Sequence, residues 1–292
     1  MKKLIGFIIS VMPVVCSAQT PYSDYEVTNA GSTINSEYDD MYPTLMPDGL
    51  TLFICSNRPG GYGDLDIYIC TRRSLNGTWS EPKNLGPDIN TDSEDHSVTI
   101  SEDGHWMLFF SGRKGNLGKG DLYYSYRKDI SNPVDWAKPK NAGNVINSSS
   151  GWDACPLFHM ENGVEKVYFT SNRKGSIGEG DAYVSSFHNE IFAKPIPIKG
   201  INTTAGEMHF APPEGFVWTN RKGGYGNEDI WITTKRKTEY EWETPVNLGP
   251  NINTSSNEGM PTITNDKSLF AFHSDRPGGN GKYDIYFAQP KK

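Results

Sequence analysis

Five acidic residues, Asp40, Asp95, Asp153, Glu207 and Glu258, each follow an Ile-Asn pair at a spacing of five or six residues. If the chain brings them together, they form a ring of carboxylates. Carboxylates crowded around a narrow opening repel one another, so some hold protons at neutral pH or a cation enters. A protonated carboxyl beside an ionised one is the pair that general acid–base cleavage of a glycosidic bond requires. Behind the acids the residue types diverge: Met41-Tyr42, His96-Ser97, Ala154-Cys155, Met208-His209 and Gly259-Met260. Tyr42, His96 and His209 are therefore candidate ligand contacts. His96 and His209 could join carboxylates in holding a divalent cation, calcium or a transition metal. A structural reading competes for the acids. Asp or Glu at a turn accepts backbone N–H bonds, and a repeat carries such a cap in every copy.

The elements that must position these residues are repeated. One phrase occurs five times, beginning Ser56-Asn-Arg-Pro-Gly-Gly-Tyr-Gly-Asp-Leu-Asp-Ile-Tyr68 and starting again at Ser111, Ser171, Thr219 and Ser274. Its arginines are Arg58, Arg113, Arg173, Arg221 and Arg276. Its aspartates, eight residues further on, are Asp66, Asp121, Asp181, Asp229 and Asp284. A second phrase, Trp79-Ser-Glu-Pro-Lys-Asn-Leu-Gly-Pro-Asp-Ile-Asn90, has counterparts from Trp136, Phe192 and Trp242 and a partial one from Glu26. Each unit reads as four short strands. A tight turn such as Pro47-Asp-Gly49 separates the first two, and the Gly-rich loop separates the next two. Units of this length with four strands predict the blades of a β-propeller.

The last unit ends after its third strand, at Asp284-Ile-Tyr-Phe-Ala288, and the orphan segment Glu26 to Asn35 supplies the missing fourth. The expected fold is all-β: one five-bladed propeller over residues 19–292, four antiparallel strands per blade, closed by its N-terminal strand so that the first and last segments leave no unpaired edge between them. Strand one of each blade then lines the channel, and the five acids ring one mouth of it. The tight turns lie on the opposite face.

The tight turn, the apolar strand, the Ser-Asn-Arg, the Gly loop and the Asp-Ile-Tyr together resemble the TolB-type WD40-like propeller repeats of bacterial envelope proteins. The resemblance spans nearly the whole chain after residue 18. It implies a propeller and an envelope setting, and the family it resembles includes envelope scaffolds, peptidoglycan-associated proteins, peptidase-attached propellers and lyases.

Residues present in every blade are expected to build the blade. Each repeated Arg is placed to make a charge-assisted contact to the Asp eight residues on, across the Gly loop. Gly60, Gly61 and Gly63 are expected to supply positive φ there. Trp79, Trp136 and Trp242 are expected to pack between blades. Tyr62 and Tyr225 stand in the loops, where they could stack on a sugar or a side chain.

With Lys+Arg 28 against Asp+Glu 35, the net charge of -7 gives no global basic footprint for nucleic acid. Lys2 and Lys3, the apolar run Leu4 to Val15 and the small residues Cys16-Ser17-Ala18 read as a signal peptide over residues 1–18, cut before Gln19. Lipid on Cys16 is the alternative, but Val15 is large where a lipobox takes a small residue. A periplasmic or secreted monomer with no membrane span is expected. In that compartment Cys55 and Cys70 could pair, although buried free thiols are the preferred reading.

The leading functional expectation is a binding module that recognises an envelope or extracellular glycan, peptide or protein at the channel mouth. A glycoside hydrolase or metal-assisted lyase using the acidic ring is the alternative, and a protein-assembly scaffold is the third.

Overall fold

The computed structural model describes residues 22–237 and 240–291. The expected signal peptide lies outside the described residues. Blade one holds β2 (Asp40–Leu45), β3 (Thr51–Ser56), β4 (Asp66–Thr71) and β5 (Lys83–Asn84). Blade two holds β6 (Asp95–Ile100), β7 (Trp106–Ser111), β8 (Asp121–Tyr126) and β9 (Lys140–Asn141). Blade three holds β10 (Asp153–Glu161), β11 (Val164–Ser171), β12 (Asp181–His188), β13 (Ile191–Phe192) and β14 (Ile196–Pro197). Its outer position is shared, because β13 and β14 both pair with β12. Blade four holds β15 (Glu207–Ala211), β16 (Phe216–Thr219), β17 (Asp229–Ile232) and β18 (Val246–Asn247). Blade five holds β19 (Glu258–Ile263), β20 (Phe270–Ser274) and β21 (Asp284–Pro290), completed by β1 (Tyr25–Asn29). All pairings within the blades are antiparallel, as the sequence predicts. Among the described residues no helix is long and apolar enough to cross a membrane.

The second and third strands of each blade read as continuous apolar runs because both faces of the sheet are covered. Phe53 and Ile67 pack with Val98 and Phe109 of blade two. Their neighbours Leu52 and Ile54 pack with Leu269 and Ile285 of blade five. Each such side chain, fully buried, contributes on the order of 1.5–3 kcal/mol. The same two-sided burial separates the cysteines: Cys55 lies in the first of these clusters and Cys70 in the second, on opposite faces of one sheet. Both are free thiols, as is Cys155. The tryptophans of the second phrase are packing residues: Trp136 and Trp242 are buried in inter-blade clusters, and Trp79 stacks on Phe287.

The repeated polar residues form one network per blade, and its wiring differs from the sequence expectation. Asp66 does not receive Arg58. It accepts the backbone N–H groups of Tyr62 (2.6 Å) and Gly63 (3.2 Å) and the Asn84 side-chain amide (2.8 Å). Asn90 clamps the backbone of Ile67 from both sides, accepting its N–H and donating to its carbonyl. Asn141 and Asn147 repeat this for Asp121 and Leu122, and Asn247 and Asn253 for Asp229 and Ile230. Pro197 stands at the first Asn position in blade three and has no amide to donate, and Asp181 accepts the loop N–H groups of Ile177 and Gly178.

The closing segment uses the same wiring. Asn29 donates to Asp284 at 2.9 Å, and Asn35 clamps Ile285. Of the three loop glycines, only Gly60 has positive φ (90°). Gly61 and Gly63 are required by space instead: a Cβ would sit 2.6 Å from the Asp66 carboxylate and 2.2 Å from the Ser93 carbonyl.

On the turn face, the Glu102 N–H reaches Glu165 at 3.4 Å. Burial, followed by the charges of Asp103 and Glu102, pushes Glu165 up to about 7 against the Glu102 hydrogen bond, which lowers it. The folded chain therefore binds a proton at this group that the unfolded chain has released. Its stabilising share is complete below the ordinary value of 4.5 and is lost as pH rises towards about 7. Glu165→Gln is expected to leave the melting temperature unchanged at pH 4. At pH 8 it should stabilise by about 1 kcal/mol, a figure reduced for solvent screening of a half-exposed group. Thermal melts at the two pH values check this, and equal shifts at both would contradict it.

Candidate functional site

Each first strand enters the channel through an irregular step. Tyr42, Ser97, Cys155 and Met260 stand two residues after their ring acids, with φ of 50°, 54°, 50° and 48°. The ladder register shifts at the same place in all four strands. Such a left-handed conformation in a residue with a side chain costs of order 1–3 kcal/mol and re-aims the rest of the strand. Pro43, Pro156 and Pro261 come directly after it, at a bulge where the missing N–H is tolerated. Blade four also shifts register, between Glu207 and His209, without a positive φ.

The five acids do ring the mouth, but as structural caps. All five are 0% exposed. Asp95 accepts the Thr91 N–H (2.6 Å), the Thr91 hydroxyl (2.7 Å) and the Arg113 guanidinium (2.9 Å). Arg173 binds Asp153 at 2.6 Å, Arg221 binds Glu207 at 3.0 Å, Arg276 binds Glu258 at 3.2 Å, and Arg58 binds Asp40. The repeated Arg is thus the counter-ion of the ring acid that stands 14 to 20 residues before it. Each guanidinium also lies over the aromatic ring of the third strand: Tyr68, Tyr123, Tyr183, Trp231 or Tyr286, at 4.6–5.5 Å. Burial raises Asp153 and Glu207 above the usual carboxylate range, against the Arg and Ser or Thr contacts that lower them. Of the two sequence readings of these acids, cap and acid–base pair, this geometry favours the cap: the groups are buried and paired with arginine.

What opens at this mouth is an aromatic pocket of about 460 Å³, lined among others by Tyr42, His96, Phe110, Trp152 and Trp218. Lys119 and Glu179 line it as well, and both are exposed. His96 is sandwiched between Tyr42 (4.5 Å, 9°) and Phe110 (4.2 Å, 18°). Its Nδ1 shares a hydrogen bond with the Ser97 hydroxyl at 2.8 Å. Burial pushes His96 down to about 3, so it is a neutral ring at neutral pH. His209 is displaced from this group. It lines a separate cavity of about 160 Å³ towards the turn face, among Pro43, Pro156 and Pro261. Burial lowers it to about 4.

Tyr62 and Tyr225 are exposed (49% and 52%) on the loops, outside the lining of the mouth pocket. The two histidines and the acids are therefore not one cluster. Among the described residues no three His, Cys, Asp or Glu side chains are placed to hold a metal ion.

Sequence reasoning missed Trp152, Phe110, Trp218, Lys119 and Glu179. The signal lay in departures from the repeat. Trp152 occupies the position before the ring acid, where the other blades have Asp39, Glu94, Gly206 and Asn257. Gly120 and Gly180 precede the third-strand Asp, where Leu65, Glu228 and Tyr283 stand elsewhere. A Cβ on Gly120 would lie 2.3 Å from the Phe110 ring, and one on Gly180 2.8 Å from Trp152. The two glycines therefore admit the two aromatic walls. Opposite them, Trp218 donates its indole N–H to Glu228 at 3.1 Å. Burial, then the Asp275 charge, raises Glu228 above the usual range, while the indole bond lowers it. The Tyr42 N–H donates to His273 Nδ1 at 3.3 Å, so that ring carries its proton on Nε2, edge-on to Trp218.

Solved structures of known proteins share this architecture. It aligns with an α-L-arabinofuranosidase from Lactobacillus brevis at TM-score 0.56 and 15% identity, over 89% of this chain and 92% of that one. A thermostable family-43 glycoside hydrolase aligns at TM-score 0.58 and 12% identity, over 88% and 90%. The arabinofuranosidase PaAbf62A from Podospora anserina, in complex with cellotriose, aligns at 0.53 and 14%, over 93% and 98%. The fold is shared with five-bladed glycoside-hydrolase propellers. At these identities the likeness is one of fold. No family model and no curated protein matches the chain. The TolB-type resemblance therefore rests on the repeated phrases, while the propeller it implied is present.

Proposed function

We propose that this chain is an exported, glycan-directed propeller that seats a sugar residue in the pocket at its channel mouth. The observation that carries this is the wall of Trp152, Trp218, Phe110 and Tyr42 with Lys119 and Glu179 beside it. Apolar sugar faces stack on aromatic rings, and a few charged groups fix the hydroxyls. The solved propellers of like fold are named as arabinofuranosidases and other glycoside hydrolases, which supports a sugar ligand and favours its hydrolysis over binding alone. Hydrolysis is the second reading. It is favoured by Glu228, whose carboxyl is raised by burial and lies against the pocket wall through Trp218. The sealed ring acids would take no part.

Titration with xylotriose, cellotriose and arabinobiose, monitored by tryptophan fluorescence, tests the proposal. At least one sugar is expected to shift the emission, and Trp152→Ala is expected to weaken that sugar tenfold or more while the melting temperature holds. A chromogenic arabinofuranoside in the same experiment separates binding from cleavage. Unchanged affinity in Trp152→Ala, or no response to any sugar, would remove the mouth from consideration.

A further inference from the structure

Two departures from the repeat meet at one place on the side of the ring. The first is in blade three. Its strands β10, β11 and β12 run to nine, eight and eight residues, against six for the corresponding strands of blades one and two. Strand β12 then reverses through Asn189-Glu190, both at positive φ (45° and 66°), into β13. That is the backbone of a tight two-residue hairpin, adopted here without glycine. The second departure is in blade two. Trp106 pairs across the ladder with Tyr126, where blade one pairs Thr51 with Thr71. Tyr124 stands where blade one has Ile69.

The hairpin reaches over these aromatics. The Tyr124 hydroxyl donates to Glu190 at 3.1 Å, and Lys140 Nζ binds both Glu190 oxygens at 3.0 Å. Phe187 meets Trp106 edge-on at 5.3 Å. Between hairpin and blade lies a cavity of about 630 Å³, larger than the mouth pocket. Packing alone accounts for Trp106 and Tyr124. It does not account for Tyr126, which is 40% exposed at 4.8 Å from the Trp106 ring and stacks on His105 at 5.6 Å. An exposed aromatic stack beside hydrogen-bonding groups is a platform, not a core.

We propose that this lateral cavity is a second binding site, for a neutral oligosaccharide, built where the blade-three hairpin overhangs the Trp106–Tyr126 pair. Lys140 and Glu190 neutralise each other, and the other two charged lining residues, Lys138 and Asp103, are of opposite sign, so the lining carries no net charge and favours hydroxyls over a charged ligand. His105 Nδ1 donates to the Arg127 carbonyl at 2.9 Å, which leaves Nε2 as an acceptor for a hydroxyl. Tyr126 and His105 supply the flat apolar face on which a sugar ring rests. The site is separate from the mouth and does not depend on what the mouth binds.

The test uses the full chain carrying Trp152→Ala, which disables the mouth wall. Cellotriose, xylotriose and arabinotriose are titrated into it by calorimetry. At least one is expected to bind with 1:1 stoichiometry. Adding Tyr126→Thr, the residue blade one carries at this position, should weaken that sugar at least tenfold with the melting temperature held. Lys140→Ala, which removes the hydroxyl-binding pair without touching the stack, should weaken it severalfold. If none of the three sugars binds the Trp152→Ala protein, or if Tyr126→Thr leaves the affinity within twofold, the lateral site is overturned. The parent chain is titrated beside it: a parent that binds while Trp152→Ala does not keeps the mouth reading and removes the lateral site alone.

Discussion

A chain lacking residues 22–35 is expected to lose its cooperative melting transition as a monomer. That segment supplies the outer strand of blade five, paired from Tyr25↔Pro290 to Asn29↔Tyr286. It also carries Ile34, buried against Leu52 and Leu269, and Tyr22, which packs on Phe216 and Phe270. Asn35 holds Ile285 by two buried hydrogen bonds. Each buried apolar side chain is worth about 1.5–3 kcal/mol and each satisfied buried hydrogen bond about 1. Together these approach the roughly 5–15 kcal/mol by which a domain is ordinarily stable. Removal also bares the outer edge of β21, a template for pairing with another copy. Circular dichroism melts and size exclusion should show an unfolded or self-associated species. A synthetic peptide of residues 22–35 should restore the monomer's transition. A truncated chain that melts at the parent's temperature would show that the ring does not depend on its closing strand.

The fold was legible because the repeat states it five times over, and because the orphan Glu26 to Asn35 matches the phrase missing from the last unit. The partner of the repeated arginine was not. Within the phrase, Arg58 and Asp66 lie eight residues apart and look like a pair, while the true counter-ion, Asp40, belongs to the preceding strand and only the ladder brings it close. The spacing puts the acids at the start of each first strand, but burial is a property of the assembled ring, and no spacing reports it. The pocket walls were written in single-blade departures: Trp152 before its acid, and glycine at 120 and 180. Repetition made the common frame easy to see, and it drew attention away from those exceptions. His209 misled for the same reason. Its position in the repeat matches Tyr42, yet blade four lacks the positive φ of the other first strands, and His209 lines the far cavity instead.

Asp95→Ala is expected to destabilise the fold by about 3–5 kcal/mol, the cost of leaving a largely buried charge without its partner. Arg113 would keep the Ile89 carbonyl (2.6 Å), the Ser111 hydroxyl (2.6 Å) and the Tyr123 ring, but no anion. Thr91 would lose the acceptor of both its N–H and its hydroxyl. Asp95→Asn should cost less, since its side-chain oxygen can still cap the Thr91 N–H while the Arg113 charge goes unmet. Asp95→Ala combined with Arg113→Met should recover part of the loss, because an absent buried pair is cheaper than a broken one. Urea denaturation of the three variants reads this order directly. A catalytic acid at the same position would behave in the opposite way: the fold would hold in every variant, and only turnover would vanish. The two roles therefore part on a stability measurement that requires no substrate. The same measurement on Asp40, Asp153, Glu207 and Glu258 asks whether all five blades are tied by one device. Their common partners, an arginine beside a third-strand aromatic ring and a Ser or Thr N–H before the acid, say that they are.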